Sequence, residues 1–281
     1  MPGTNTRRAR SAGLVLAVLI LLGGGAYVAF RHVAPLLEPA SGCAVKASGQ
    51  VFRLDPGQAG IAATIAGVAS RQALPAHAVT VAYAAALQES KLRNLPFGDR
   101  DSVGVFQQRP SEGWGTAHQL EDPVYATTKF FQALSRVPRY KQIPVYKAAQ
   151  AVQHSADGTA YIQYQQMAAG LTRGFTGSDP RSVWCWYNGR THGRARLAAA
   201  GQDLTRAFGP LAVRTAGDPR MIVTVPHRAE GWSVATWLVS HASHYGIRDV
   251  RYGRYEWRAA KGASGWTRGH SQEPAGRIQL G

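Results

Sequence analysis

Acidic residues are scarce. The chain has 281 residues, with 16 Asp and Glu against 32 Lys and Arg and a formal net charge of +16. Cysteine is scarcer still: two residues cannot build a disulfide-dense mini-scaffold, and the nine histidines show no zinc-type spacing. No C-x-x-C, H-E-x-x-H, P-loop or G-x-G-x-x-G pattern occurs. Nucleotide binding and the usual metal chemistries therefore lose their sequence support, and no cofactor is expected. Lysine contributes only 6 of the basic residues and arginine 26, alongside much Ala and Gly. That skew accompanies coding sequence rich in G and C, so part of the charge reflects composition. The remainder would attract a polyanion such as nucleic acid, anionic lipid or an acidic wall polymer. No basic helix with interleaved aromatics is present, which argues against nucleic acid as the partner. With 45% hydrophobic residues the chain has ample material for a packed core.

Long apolar runs are equally rare, and the single one sets the expected compartment. Ser11 to Phe30 is uncharged throughout, between Arg10 and Arg31. As a helix it would span about 30 Å, the thickness of a bilayer's hydrocarbon layer. Arg7, Arg8 and Arg10 precede it, so the positive-inside rule places the N-terminus in the cytoplasm and the rest outside. The reading is a single-pass anchor in the cell membrane. A cleaved signal peptide ending near Ala26-Tyr-Val-Ala29 is the alternative. Gly42-Cys43 lies too far beyond the run to be a lipidation box. In an oxidising compartment Cys43 and Cys185 are expected to pair, tying together the two ends of one domain.

Helix signals crowd the region after a linker at 31–52. Asp55-Pro56 and Asp122-Pro123 each read as an N-cap followed by Pro at the first helical position. Pro75 opens a helix toward Arg93, with Val79, Tyr83 and Leu87 on one face, and Pro144 opens another. Gly and Pro between 94 and 121 predict loops, and a further helix is expected over 159–169. Residues 53–186 thus read as a mainly helical domain and 187–217 as a basic linker. The C-terminal 218–281 read as a small α/β module, with a strand at 221–225, a helix at 230–245 and two short strands within 249–258.

Glu89 is the residue with chemical promise. Ala82, Ala85 and Ala86 share its helix face, seven, four and three positions earlier. A carboxyl among methyl groups at a helix C-terminus is expected to resist ionisation, as a general acid requires. An ordinary solvated glutamate beside Lys91 and Arg93 is the competing account. Asp99 and Asp101, in the loop beyond, either serve as a second carboxylate or cap turns around Gly98 and Ser102.

Glu89-Ser90, followed by Ser102-Val-Gly-Val-Phe-Gln107-Gln108, resembles the soluble lytic transglycosylase pattern, an E-S pair and then S-x-G-L-M-Q after a variable loop. The stretches ALQESKLRNL, GDRDSVGVFQQRPSEGWGT and DPVYATTKFF, together with 221–258, are also similar to a group of membrane-anchored actinobacterial proteins. The resemblance implies a mainly α, lysozyme-like domain after one transmembrane helix, plus the small C-terminal α/β domain. It further implies cleavage of the β-1,4 MurNAc-GlcNAc bonds of peptidoglycan glycan strands. Glu89 would serve as the single acid and base, with Ser102, Gln107 and Gln108 lining the cleft.

The family's A-Y-N-A-G segment is missing; the nearest match is Ala149-Gln-Ala-Val-Gln153. Gln153 would then supply the polar group, while Tyr161 and Tyr164 either lend a hydroxyl or belong to the core. A glycan-binding scaffold without catalysis is the alternative function. His241 and His244 lie three apart on one helix but lack a completing ligand, so no metal is expected. Trp114 either stacks on sugar or pins its loop. Trp232, Trp237, Trp257 and Trp266 are more aromatics than so small a module needs, and serve either its core or a binding surface.

Overall fold

The computed structural model describes residues 40–155, 157–188, 195–217, 220–270 and 272–281. The anchor expected at 11–30 and the cytoplasmic tail at 1–10 lie outside the described residues. Among the described residues no helix is long and apolar enough to cross a membrane.

Helices form where the caps predict them. Asp55 accepts from the Gln58 N–H at 2.8 Å and Gln58 returns the bond to the Asp55 N–H at 2.8 Å, opening α1 (Pro56–Arg71). Helix α1 is buried on every side from Ala59 to Val68 and Ala69, which makes it a central rod. Gly67 permits this, since a Cβ there would sit 2.8 Å from the Phe208 ring. Helix α2 (Ala76–Ser90) is buried through Leu87 and ends where Lys91 and Leu92 both turn left-handed. After a short α3 (Ala117–Leu120), α4 (Pro123–Arg136) starts on the Asp122 cap and buries Phe130 and Phe131. Helix α5 (Val145–Gln153) starts after Pro144. The helix expected at 159–169 is instead a 3-10 turn, Gly158–Tyr164, running into α6 (Gln165–Phe175).

The mainly helical, two-domain expectation is incorrect. Of the described residues about 49% are helix and 18% strand, and the strands form two antiparallel sheets. The first has the order β2-β1-β3, from β1 (Gly42–Ala47), β2 (Gln50–Leu54) and β3 (Val183–Trp186). The second has six strands in the order β4-β5-β9-β6-β7-β8. These are β4 (Ala212–Thr215), β5 (Met221–Thr224), β6 (Asp249–Tyr252), β7 (Tyr255–Arg258), β8 (Thr267–Arg268) and β9 (Arg277–Leu280). Residues 41–281 form one compact unit.

Both expected linkers contain structure. Residues 42–52, assigned to the first, belong to the hairpin β1–β2. Within 187–217, α7 (Leu197–Phe208) buries Ala200, Leu204, Ala207 and Phe208 and leads into β4. Their spacing of four, three and one is that of a helix face, masked in the sequence by the surrounding Ala, Gly and Arg. Helix α8 (Arg228–Ser240), buried from Gly231 onward, joins the parts: its Ser233 hydroxyl donates to Phe175 O at 2.6 Å. Val239 O accepts from the Tyr187 hydroxyl at 2.7 Å. The short α9 (Ala242–Tyr245) follows.

The two sheets meet through tryptophan. β3 is an edge strand, whose outward carbonyls would otherwise be unpaired. The Trp257 indole N–H donates to Cys185 O at 2.9 Å and that of Trp266 to Val183 O at 2.8 Å. Trp257 is fully buried and Trp237 and Trp232 nearly so, so these three rings serve the core. Cys43 and Cys185 face each other across β1 and β3 and form a disulfide.

Candidate functional site

Glu89 sits half-buried on the last turn of α2, between two segments that fasten to its neighbours. On one side Ser90, 4% exposed, donates its hydroxyl to Val105 O at 2.7 Å and accepts from the Arg93 N–H at 3.1 Å. This pins the 102–108 loop to the helix end. On the other side Lys91 Nζ bonds the Tyr164 hydroxyl, and Gln163 Nε2 reaches Gln88 Oε1 at 3.4 Å. The Tyr161 hydroxyl then donates to Glu89 Oε1 at 2.8 Å. Burial, the adjacent Glu89 charge and this hydrogen bond raise the Tyr161 pKa above its ordinary value, so the phenol stays a donor. Glu89 Oε1 is thereby oriented by a rigid group, and Oε2 lies outside that bond.

The 102–108 loop is a tight hairpin. Val103 and Gln108 exchange both backbone bonds, and Leu95 O accepts from the Gly104 N–H at 2.7 Å. Gly104 has φ +80°, and a Cβ would fall 2.3 Å from Leu120 O, so only glycine fits. Val105 and Phe106 are fully buried, with Phe106 stacked on Phe130 at 4.4 Å between ring centroids. The Val-Phe pair thus anchors the hairpin in the core.

The polar residues expected to line the cleft are spent on the loop itself. Ser102 Oγ donates to Gln107 Oε1 at 3.0 Å, and Gln107 Nε2 donates to Gly104 O at 3.2 Å. Gln108 is 2% exposed and turned toward α4, where Nε2 reaches Ala126 O at 3.3 Å. Gln153 Nε2 donates to Phe106 O at 2.8 Å and so ties α5 to the hairpin beside Glu89. Of these four residues Gln153 and Gln107 are half-buried, and Ser102 is buried.

The two loop aspartates are held by the loop and by solvent. Asp101 accepts from the Ser111 N–H at 2.8 Å and from Arg109 Nε at 2.8 Å. The Ser111 N–H first, with Arg109 and the Ser111 hydroxyl, holds its pKa at about 2. The Asp99 side chain is 95% exposed. Trp114 is partly buried, and its carbonyl accepts from the Tyr125 hydroxyl at 3.4 Å, which pins the loop. It also lines a groove of ≈890 Å³ with Lys129, Arg136 and His154.

Sequence reasoning left Tyr161 undecided and assigned no separate task to Ser90. Nothing in the local pattern distinguishes Tyr161 from Tyr164, because the turn that presents it is 3-10 rather than α-helical. No family model matches this chain, and no curated protein matches it.

Proposed function

We propose that this protein cleaves the glycan strands of peptidoglycan from the outer side of the cell membrane, with Glu89 as its single acid and base. The observation that carries the reading is the Tyr161–Glu89 hydrogen bond at the end of α2, beside a hairpin held by Ser90 and Gln153. The local resemblance of 89–108 to the lytic transglycosylase pattern supplies the substrate class. Glu89 protonates the glycosidic oxygen as the bond to the anomeric carbon breaks. It then takes the proton of the incoming hydroxyl. The commitment of Asp101 to Arg109 and Ser111, with Asp99 in solvent, favours the sugar's own 6-OH as that hydroxyl and a 1,6-anhydro product. Hydrolysis would call on a second carboxylate, to activate water or to stabilise the glycosyl cation. Tyr161 positions the carboxyl. A disulfide buried between strands supports an oxidising, extracytoplasmic location, with 11–30 as the anchor.

One observation favours the non-catalytic alternative. Ser102 and Gln107 satisfy the loop and Gln108 is buried against α4, which leaves few polar groups to grip a sugar. Purified protein and its Glu89→Gln variant, incubated with purified peptidoglycan, decide between the two. Anhydro-muropeptides from the parent alone support the transglycosylase reading; products carrying added water redirect it to hydrolysis. Pelleting on sacculi with no product establishes a glycan-binding protein instead.

A further inference from the structure

We propose that a cleft on the outer face of the three-stranded sheet, sharing no residue with the Glu89 site, binds an acidic saccharide. The cleft encloses ≈580 Å³ between the β1–β2 turn, the loop entering β3 and the turn before β8. Its walls carry two indoles, Trp184 and Trp266, two cations, Lys46 and Arg181, and the hydroxyls of Ser48 and Ser264.

The strand register puts these groups together. Along β3, Val183 and Cys185 face the core and are buried, so Trp184 projects from the opposite face and is half-buried. Trp184 pairs with Ala44, and Lys46 is two residues further along β1 on the same face. Lys46 therefore lies diagonal to the indole and is exposed. Trp266 closes the other side. Its N–H is held by Val183 O at 2.8 Å and its ring meets Trp232 edge-on at 5.1 Å, so the ring is fixed before any ligand arrives. Rigid, partly exposed indoles present flat apolar surface, which suits the C–H face of a pyranose ring.

The charge in the cleft is unbalanced. Asp179, the one acidic residue lining it among the described residues, is neutralised by Arg173 through bonds of 2.8 and 3.0 Å. Lys46 and Arg181 form no ion pair among the described residues, and Arg181 instead lies 4.3 Å over the Tyr255 ring. The backbone at Arg181 is left-handed, with φ +62°, as it is at Ser48 with φ +49°. Loops that hold non-glycine residues in this region recur at ligand clamps. Two cations without an ion pair, beside fixed indoles and the Ser48 and Ser264 hydroxyls, select a ring that carries a carboxylate.

Titration of the full chain in detergent, by calorimetry and intrinsic tryptophan fluorescence, tests the assignment. A hyaluronan tetrasaccharide supplies glucuronate carboxylates, chitotetraose supplies the uncharged amino sugar, and trialanine supplies a carboxylate without a sugar. The hyaluronan fragment is expected to bind at least about tenfold more tightly than chitotetraose. The Lys46→Gln, Arg181→Asn variant should erase that preference, and Asn keeps the left-handed backbone accessible. A Trp184→Leu variant should weaken both saccharides together. Equal binding of the two saccharides, binding unchanged by the double substitution, or no saccharide binding at millimolar concentration would overturn the proposal. So would preference for trialanine, which would make the cleft a peptide site. The preference is read as the difference between the Lys46→Gln, Arg181→Asn variant and its parent, both also carrying Glu89→Gln to silence cleavage, so loss of glycan cleavage and loss of this site are read separately.

Discussion

Breaking the Cys43–Cys185 bridge should destabilise the folded protein mainly through its unfolded chain. The two residues are register partners on adjacent strands, and both are fully buried. Gly42, Ala44 and Val45 keep their own partners Trp186, Trp184 and Val183 whether or not the sulfurs are joined. The bridge spans 142 residues in sequence, so it removes a large loop-closure freedom from the denatured ensemble. In the chain-entropy account a loop of that length corresponds to about 5 kcal/mol. For a protein of this size that is a fall in Tm of about 10–20 °C. The assay is thermal unfolding of Cys43→Ala, Cys185→Ala and the double variant, followed by near- and far-UV circular dichroism together. Each single variant already lacks the bridge, so the double variant should lose little beyond either one. Losses that add across the two sites would instead report local packing, since independent sites add and coupled ones do not. A fall in Tm below about 4 °C would equally refute loop closure as the mechanism.

Other consequences follow from single contacts. Tyr161→Phe keeps the buried ring but removes the donor to Glu89 Oε1. A hydrogen bond to a charged group is worth about 1.5–3 kcal/mol of stability; removing it should lower stability by no more than that, while loss of the oriented carboxyl should lower turnover of peptidoglycan about 10–100-fold. Gly104→Ala forces a side chain to φ +80° and against Leu120 O. It should cost about 3 kcal/mol or more in urea unfolding. His241 is packed against Trp237 at 4.0 Å, with His244 also near and Asp203 opposing, and its pKa is pushed down to about 4 chiefly by burial. The unfolded chain takes up that proton near pH 6.5, so stability is full above 6.5 and drains as pH falls toward 4. Between pH 7 and 5 the loss should be about 1–2 kcal/mol, and His241→Phe should flatten that part of the curve.

Local chemistry was legible in the sequence and long-range pairing was not. Asp55-Pro56 and Asp122-Pro123 mark helix starts because capping is decided within four residues. Strand β1, GCAVKA, carries no such mark. It is short and built of small residues, and its partners include residues more than a hundred positions away. That pairing made part of the expected linker a strand, while contacts to the C-terminal part come from Ser233, Trp257 and Trp266, whose partners also lie far off in sequence. The Glu89 site divides in the same way. The position of the glutamate on a helix end came from periodicity. The hydroxyl that orients it came from a 3-10 turn 72 positions away, which helical spacing misreads. Of the residues whose type suggested ligand contact, Ser102 and Gln107 are spent closing the hairpin, and Gln108 is turned away to Ala126 O on α4.

The tryptophans show why composition underdetermines use. Four of them in a short segment suggested either core or binding surface, and the edge of β3 assigns two of them, Trp257 and Trp266, to a third task. An exposed strand edge needs donors for its carbonyls, and the indole N–H is a donor that arrives with a large apolar body. Trp257 and Trp266 supply such donors to Cys185 and Val183. Gly262 lets the chain come close: a Cβ there would stand 2.3 Å from Cys185 O. The same strand carries the disulfide cysteine on its inner face and Trp184 on its outer one. β3 therefore couples the N-terminal hairpin, the C-terminal sheet and the indole-lined cleft. A strand fixed on all those sides gives Trp184 a rigid seat, the condition under which a ring contributes affinity instead of losing it to ordering.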